Sequence, residues 1–156
     1  MTTSTDFRVR AMPAGTLDVV RRTGRDAADR PVEALPAGGG EPLRCCLRDA
    51  EAGEELLLFG YAPPVAAGPY REVGPVFAHA VACPAPEPTG GHPPDWRGRP
   101  QVLRAYDRQG RIHGGRLHDG TDPEAVIAEL FADPAVHQLH SRNVVYGCFM
   151  FAVERA

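Results

Sequence analysis

The sequence predicts an α+β fold: an antiparallel sheet of about six to seven strands built from hairpins, with one firm helix, about 122–132, packed on it. Three observations lead there. Short apolar or alternating runs recur between turn signals along most of the chain. Only one segment, HDGTDPEAVIAELFADP, joins a cap, a first-turn proline and an apolar stripe. A chain of 156 residues without an internal repeat is long enough for a single domain, residues 1–156, with a real core.

Residues 1–6 read as a flexible tail. Phe7 to Met12 alternates apolar and polar, the pattern of a half-buried strand. A short helical turn is expected around Leu17 to Arg22. Residues 24–42, rich in Gly, Pro, Asp and Ala, read as a long loop. Leu43–Leu47 and Glu55–Tyr61 are apolar and of strand length, and Asp49 to Gly53 between them suggests a hairpin. Val73–Cys83 reads as the next strand. Residues 84–100 form a second long loop, with six prolines and three glycines around the only tryptophan, Trp96. Trp96 is either a loop anchor or a contact residue. Gln101–Tyr106 and Arg111–His118 flank a turn ending in Gly110, which suits a hairpin with a left-handed position. In the helix, Thr121 or Asp122 can cap, Pro123 occupies the first turn, and Glu124 completes a T-x-x-E pattern. Val126, Ile127, Leu130 and Phe131 form its stripe. Val136–His140 and Val144–Val153 finish as strands.

Composition removes several classes of function. All 17 basic residues are arginine, so Schiff-base and phosphate-loop lysines are absent. A net charge of −3 argues against nucleic-acid partners. No apolar run reaches the length of a membrane span, and MTTSTDF lacks the basic and apolar regions of a secretory signal, so a cytoplasmic location is expected. The four cysteines, Cys45, Cys46, Cys83 and Cys148, include no C-x-x-C pair and read as buried free thiols in a reducing compartment.

Candidate chemistry rests on polar residues embedded in strands. His79 and Cys83, four apart on a strand, would lie about 13 Å apart and could share a metal only if the segment were helical, which Gly74-Pro75 and its β-branched residues disfavour. His79 is then either a hydrogen-bonded core histidine or a pocket residue. Tyr70 and Glu72 share a side between two Gly-Pro pairs, with Glu72 either a general base or an ion-pair partner. His137 and His140 face opposite sides of a strand, which disfavours a di-histidine metal site, whereas His140 and Arg142 share a face beside Asn143. Arg44 and Arg104 interrupt apolar strands, and converging arginines would clamp a carboxylate or phosphate. The expectation is therefore a pocket for a small anionic molecule. Its ligand-binding residues would be Arg44, Tyr70, Arg104, His140, Arg142 and Asn143, with His79 and Glu72 as the acid/base candidates, and no metal or cofactor. The competing expectation is a non-catalytic interaction module, or a homodimer, using the 84–100 loop. Whether any reaction is catalysed is left open.

The ordered set RCCLRDAEAGEELLLFGYAPP, PYREVGPVFAHAVAC, RAYDRQGRI and LFADPAVHQLHSRNVVYGCFMF resembles a bacterial domain-of-unknown-function family, number 1203. The resemblance runs from about Leu43 to Arg155. It places the family pattern on Arg44, Cys46, Leu47, Tyr61, Pro69, Tyr70, Glu72, Gly74, Pro75 and His79, then on Arg104, Tyr106, Asp107, Arg142, Asn143, Gly147 and Cys148. The family pattern often has a cysteine three positions before the second cysteine of the first motif; Leu43 stands there, so a metal site on that pair is not expected. The resemblance implies an architecture and a list of residues, not a reaction.

Overall fold

The computed structural model describes residues 6–156. The expected tail lies outside these residues except for Asp6, whose carbonyl accepts a hydrogen bond from the Ala156 amide. The elements in order are β1 (Phe7–Arg10), α1 (Ala14–Thr23), β2 (Glu33–Pro36), β3 (Pro42–Leu43), β4 (Arg48–Asp49), β5 (Glu55–Tyr61) and β6 (Gly74–His79). A 3-10 turn at Pro94–Trp96 follows, then β7 (Gln101–Tyr106), β8 (Ile112–His118), α2 (Pro123–Phe131), β9 (Gln138–Asn143) and β10 (Phe149–Arg155).

The α+β class is right in outline, but the single sheet is not. The strands form two five-stranded sheets, ordered β1-β10-β9-β7-β8 and β2-β5-β6-β3-β4. The 84–100 segment carries the chain from one to the other, which is why the hairpins before and after it do not join. Every pairing is antiparallel except β3 with β6, which is parallel at Leu43↔Phe77.

The long periodic elements follow the sequence. β5 alternates through buried Leu57, Phe59 and Tyr61, with Leu56 buried on its other face, and β7 meets β8 through a turn in which Gly110 has φ 79°. Asp122 caps α2 by accepting from the Ala125 amide, and Ile127 and Phe131 bury its apolar stripe. Helix α1 is a full 10 residues, closed by Gly24 in the left-handed region.

The short elements depart from it. Of the Leu43–Leu47 run only Leu43 is strand, as the end of β3, and the run makes no hairpin with β5. Arg44 to Leu47 is a tight turn, closed by the Leu47 amide on the Leu43 carbonyl and by a left-handed Leu47 at φ 57°. The 24–42 loop contains β2, an edge strand paired to β5. β6 stops at His79 and does not continue to Cys83, and residues 144–148 form the β9–β10 turn rather than strand.

Two apolar clusters make the core. One gathers α1 (Leu17, Val20) against Leu43, Leu56, Phe59, Tyr61 and Val76. The other gathers α2 (Ile127, Phe131) against Trp96, Leu103, Leu139 and Phe151. Strand β10 serves both, with Phe149 and Ala152 in the first and Met150, Phe151 and Val153 in the second.

Candidate functional site

Two constellations stand on opposite sides of the Arg44–Leu47 turn. The first is a group of sulfur and nitrogen atoms. Leu43 pairs with Phe77 in parallel register, so two residues further along each chain Cys45 comes beside His79. The backbone confirms the approach, since the His79 amide donates to Cys45 Sγ at 3.3 Å. The turn adds Cys46. Because β6 ends at His79, the chain bends through Ala80–Val81 and brings Cys83 back, with its Sγ 3.1 Å from Cys45 Sγ. The separation of His79 from Cys83 expected for a continuous strand is thus corrected, and the cause is the bend.

The ligand atoms of Cys45, Cys46, His79 and Cys83 all lie within 4.8 Å of one another. His79 Nδ1 faces the sulfurs, 3.6 Å from Cys45 and 3.8 Å from Cys46. On the other side of the ring, Nε2 meets the Glu54 carboxylate at 2.6 Å. Glu54 is in turn held by Arg48 through two bonds of 3.1 Å and by the Glu51 amide. Arg48 first, and the Glu51 N–H second, depress the Glu54 carboxyl to about 2. The thiols are unequal. A hydrogen bond to Cys46 and burial push Cys45 up, the same bond pulls Cys46 down, and burial raises Cys83 to about 11.

The second constellation is a cleft between the β9–β10 turn and the 39–44 segment. It has a volume of about 640 Å³ and is lined by Arg44, Phe77, Asn143, Tyr146 and Cys148 among others. A smaller cleft, lined by Glu72 and Arg142, adjoins it through shared Pro75, Tyr146 and Cys148. Arg44 is 2% exposed, and burial lowers its guanidinium to about 10, so it stays charged at neutral pH. Nε donates to the Phe149 carbonyl at 2.7 Å and Nη1 to the Pro42 carbonyl at 2.5 Å. Among the described residues Arg44 has no carboxylate partner, and its Nη2 makes no hydrogen bond. Arg142 donates to the Gly147 carbonyl and pairs with Glu72, while its buried Nε is left without a partner. Burial lowers its pKa too.

The expected eight-residue pocket is therefore divided. Arg44, Arg142 and Asn143 meet at the two adjoining clefts. Arg104 joins their edge through a 3.4 Å contact to Glu72 and a bond to the Tyr106 hydroxyl. His140 lies behind the clefts, fully buried against the Tyr106 and Phe149 rings and donating to the Pro64 carbonyl. Tyr70 is 41% exposed and lines neither cleft. His79 and Glu72, the acid/base candidates, are separated by the whole of β6: His79 ends the strand and Glu72 precedes its first residue, Gly74, which alone lies roughly 16 Å from His79 along the strand. The strand's length makes that pairing untenable. Trp96 is completely buried, stacked on Phe151 with Nε1 donating to Asp49, so it offers no surface to a partner.

Sequence reading missed Cys45, Cys46 and Cys83 as a group with His79, and missed Glu54 and Arg48 behind them. The usable signal was a Cys-Cys pair and an H-x-x-x-C segment in two apolar runs that could lie side by side.

A family model described as "Protein of unknown function (DUF1203)" matches residues 40–155. The chain belongs to that family. The DUF1203 match begins just before the Arg44–Leu47 turn and ends on β10, so it encloses both constellations and leaves out α1 and β2. Searches of curated proteins and of solved structures gave no match. Among the described residues, no helix is long and apolar enough to cross a membrane.

Proposed function

We propose that this DUF1203 protein is a soluble cytoplasmic binder of a small carboxylate or phosphate, held in the clefts between Arg44 and Arg142. The observation that carries the reading is Arg44: a buried, charged guanidinium at a cleft wall, without a counter-ion among the described residues and with a donor unused. A buried charge of this kind is stabilised when an anion completes it, because an unpaired buried ion costs several kcal/mol. Arg142, at the adjoining cleft, supplies a second cation whose charge is already partly matched by Glu72. Asn143 Oδ1 accepts from the Val145 and Tyr146 amides and so fixes the turn that forms the cleft rim. Arg104 and Glu72 close the far edge, and His79 takes no part in holding the anion.

The test is a thermal-shift titration with inorganic phosphate and with small mono- and dicarboxylates, in an uncharged low-salt buffer. A saturable rise in Tm is expected for at least one probe, following the linkage of ligand binding to stability. Two variants separate this site from general ionic effects. Arg44→Met should abolish the rise. Tyr146→Asp, at a rim position 82% exposed, places a carboxylate at the mouth without disturbing the core and should weaken binding at least about tenfold. No saturable rise with any probe, or an undiminished rise in Tyr146→Asp, overturns the proposal.

A further inference from the structure

The three thiols and the imidazole are arranged as the ligand set of a metal ion. We propose that Cys45, Cys46, His79 and Cys83 bind one Zn²⁺ in a closed tetrahedral site. This inference stands apart from the anion reading and shares no ligand with it.

Distances carry it first. Zinc bonds of about 2.3 Å to sulfur and 2.0–2.1 Å to nitrogen, at tetrahedral angles, put two sulfurs about 3.8 Å apart and sulfur and nitrogen about 3.6 Å apart. Cys45 and Cys46 sulfurs are 3.9 Å apart, and His79 Nδ1 is 3.6 and 3.8 Å from them. Cys83 at 3.1 Å from Cys45 is tighter than this, yet far outside the length of about 2.05 Å of a disulfide. Three sulfurs and one nitrogen thus surround a common centre, and no pair of them is bonded.

The imidazole is set for the task. Its Nε2 lies 2.6 Å from an ionised carboxylate, so the proton belongs on Nε2 and the Nδ1 lone pair points at the sulfurs. Carboxylate–imidazole–metal chains are the usual means of orienting a histidine ligand. Here the chain continues outward, because Arg48 and the Glu51 amide hold Glu54 in turn. The other ligands are fixed by backbone. Arg21 donates to the His79 and Val81 carbonyls, pinning the bend that returns Cys83. The Cys45–Cys46 turn is closed by a left-handed Leu47, a conformation costing a leucine about 1–2 kcal/mol that must be compensated elsewhere.

The donor set selects the ion. Thiolates with one imidazole favour zinc over the oxygen-seeking cations, and four protein ligands leave no position for water, which marks a structural site. On binding, the three thiols lose their protons to solvent and become thiolates. The resulting complex carries a net charge of −1, which Arg21 and Arg48 face.

The experiment is metal analysis of the full-length, untagged protein made in zinc-supplemented medium and purified under reductant without chelator. About one zinc per chain is expected. Replacement by Co²⁺ should give tetrahedral visible bands with a near-ultraviolet thiolate-to-cobalt band. Cys46→Ser and Cys83→Ser, each removing one of three thiolates, should weaken cobalt binding and lower that band per bound cobalt, whereas Cys148→Ser, outside the group, should leave both unchanged. Should the serine variants fail to fold, Glu54→Gln provides the second reading: it leaves all four ligands and should lower zinc affinity about 10–100-fold. Reduced protein that takes up no zinc on titration overturns the proposal. So does cobalt binding without the thiolate band, or a mass lower by two hydrogens with peptide mapping that assigns a Cys45–Cys83 disulfide as the native state. None of these readouts depends on phosphate or carboxylate binding, and the Tyr146→Asp titration does not depend on zinc, so either reading can fail alone.

Discussion

His140 shows what burial does to a single ionisable side chain in this molecule. It is 1% exposed, donates from Nε2 to the Pro64 carbonyl and leaves Nδ1 without a partner. Burial first, opposed by the Pro64 bond and assisted by the charge of Arg104, lowers its pKa to about 4. In the unfolded chain the same group takes its proton near 6.5. Between those values the unfolded state binds more protons than the native one, so stability is complete above about pH 6.5 and falls as pH drops towards 4. The loss from this residue is on the order of 3 kcal/mol. His92, lowered to about 4 by burial, and His118, also lowered by burial, act in the same direction. Urea midpoints measured from pH 7 to pH 4 should therefore decline in the native protein, and His140→Phe should flatten part of that decline whatever its effect at pH 7. A slope unchanged by the substitution would mean that His140 is not held neutral.

At the scale of elements, two glycines with positive φ separate backbone strain from steric collision. Gly147, φ 73°, lies in the β9–β10 turn, and a methyl group added there would have nothing within 4 Å, so Gly147→Ala should cost only the left-handed penalty of about 1–2 kcal/mol. Gly120, φ 86°, lies in the turn after β8, where the same methyl group would collide with the Arg99 and Gly98 backbone, closer than van der Waals contact allows. Gly120→Ala should thus add an overpacking cost of about 1–3 kcal/mol to the same strain, and chemical denaturation of the two variants side by side will show whether the difference exists. The contrast also explains what is legible in the sequence. Elements long enough to repeat a pattern, β5, β7, β8 and α2, are readable from alternation, turn residues and caps. β3 and β4, two residues each, have no period to read. The apolar run Leu43–Leu47 reads as a strand because nothing in its composition announces a left-handed leucine. The site inherits that limit. Arg44, Arg142 and Asn143 are visible because charged or amide groups in apolar strands stand out, while the thiol group is hidden because it depends on that turn and on a bend after His79.

At the scale of the whole molecule, the two apolar clusters raise the question of whether the sheets unfold together. Strand β10 argues that they do, because adjacent residues along it feed different clusters, Phe149 and Ala152 one, Phe151 and Val153 the other. Half of such a strand cannot be released without exposing the other half. Trp96 reports on only one side, being stacked on Phe151 in the α2 cluster. Leu17, 4% exposed on α1, belongs to the other cluster and lies outside the family match. Leu17→Ala should destabilise by about 2–5 kcal/mol through lost burial and a residual cavity. If β10 couples the clusters, the Trp96 fluorescence transition should move by that whole amount, together with the far-ultraviolet dichroism, at fixed zinc concentration. Ile127→Ala, in Trp96's own cluster, should shift both signals in the same way. Coupling is refuted if Leu17→Ala leaves the Trp96 transition in place while the dichroism splits into two steps. In that case α1 and its sheet would be a separate folding unit, and the anion cleft, which draws its lining from both sheets, would have to assemble after both had folded.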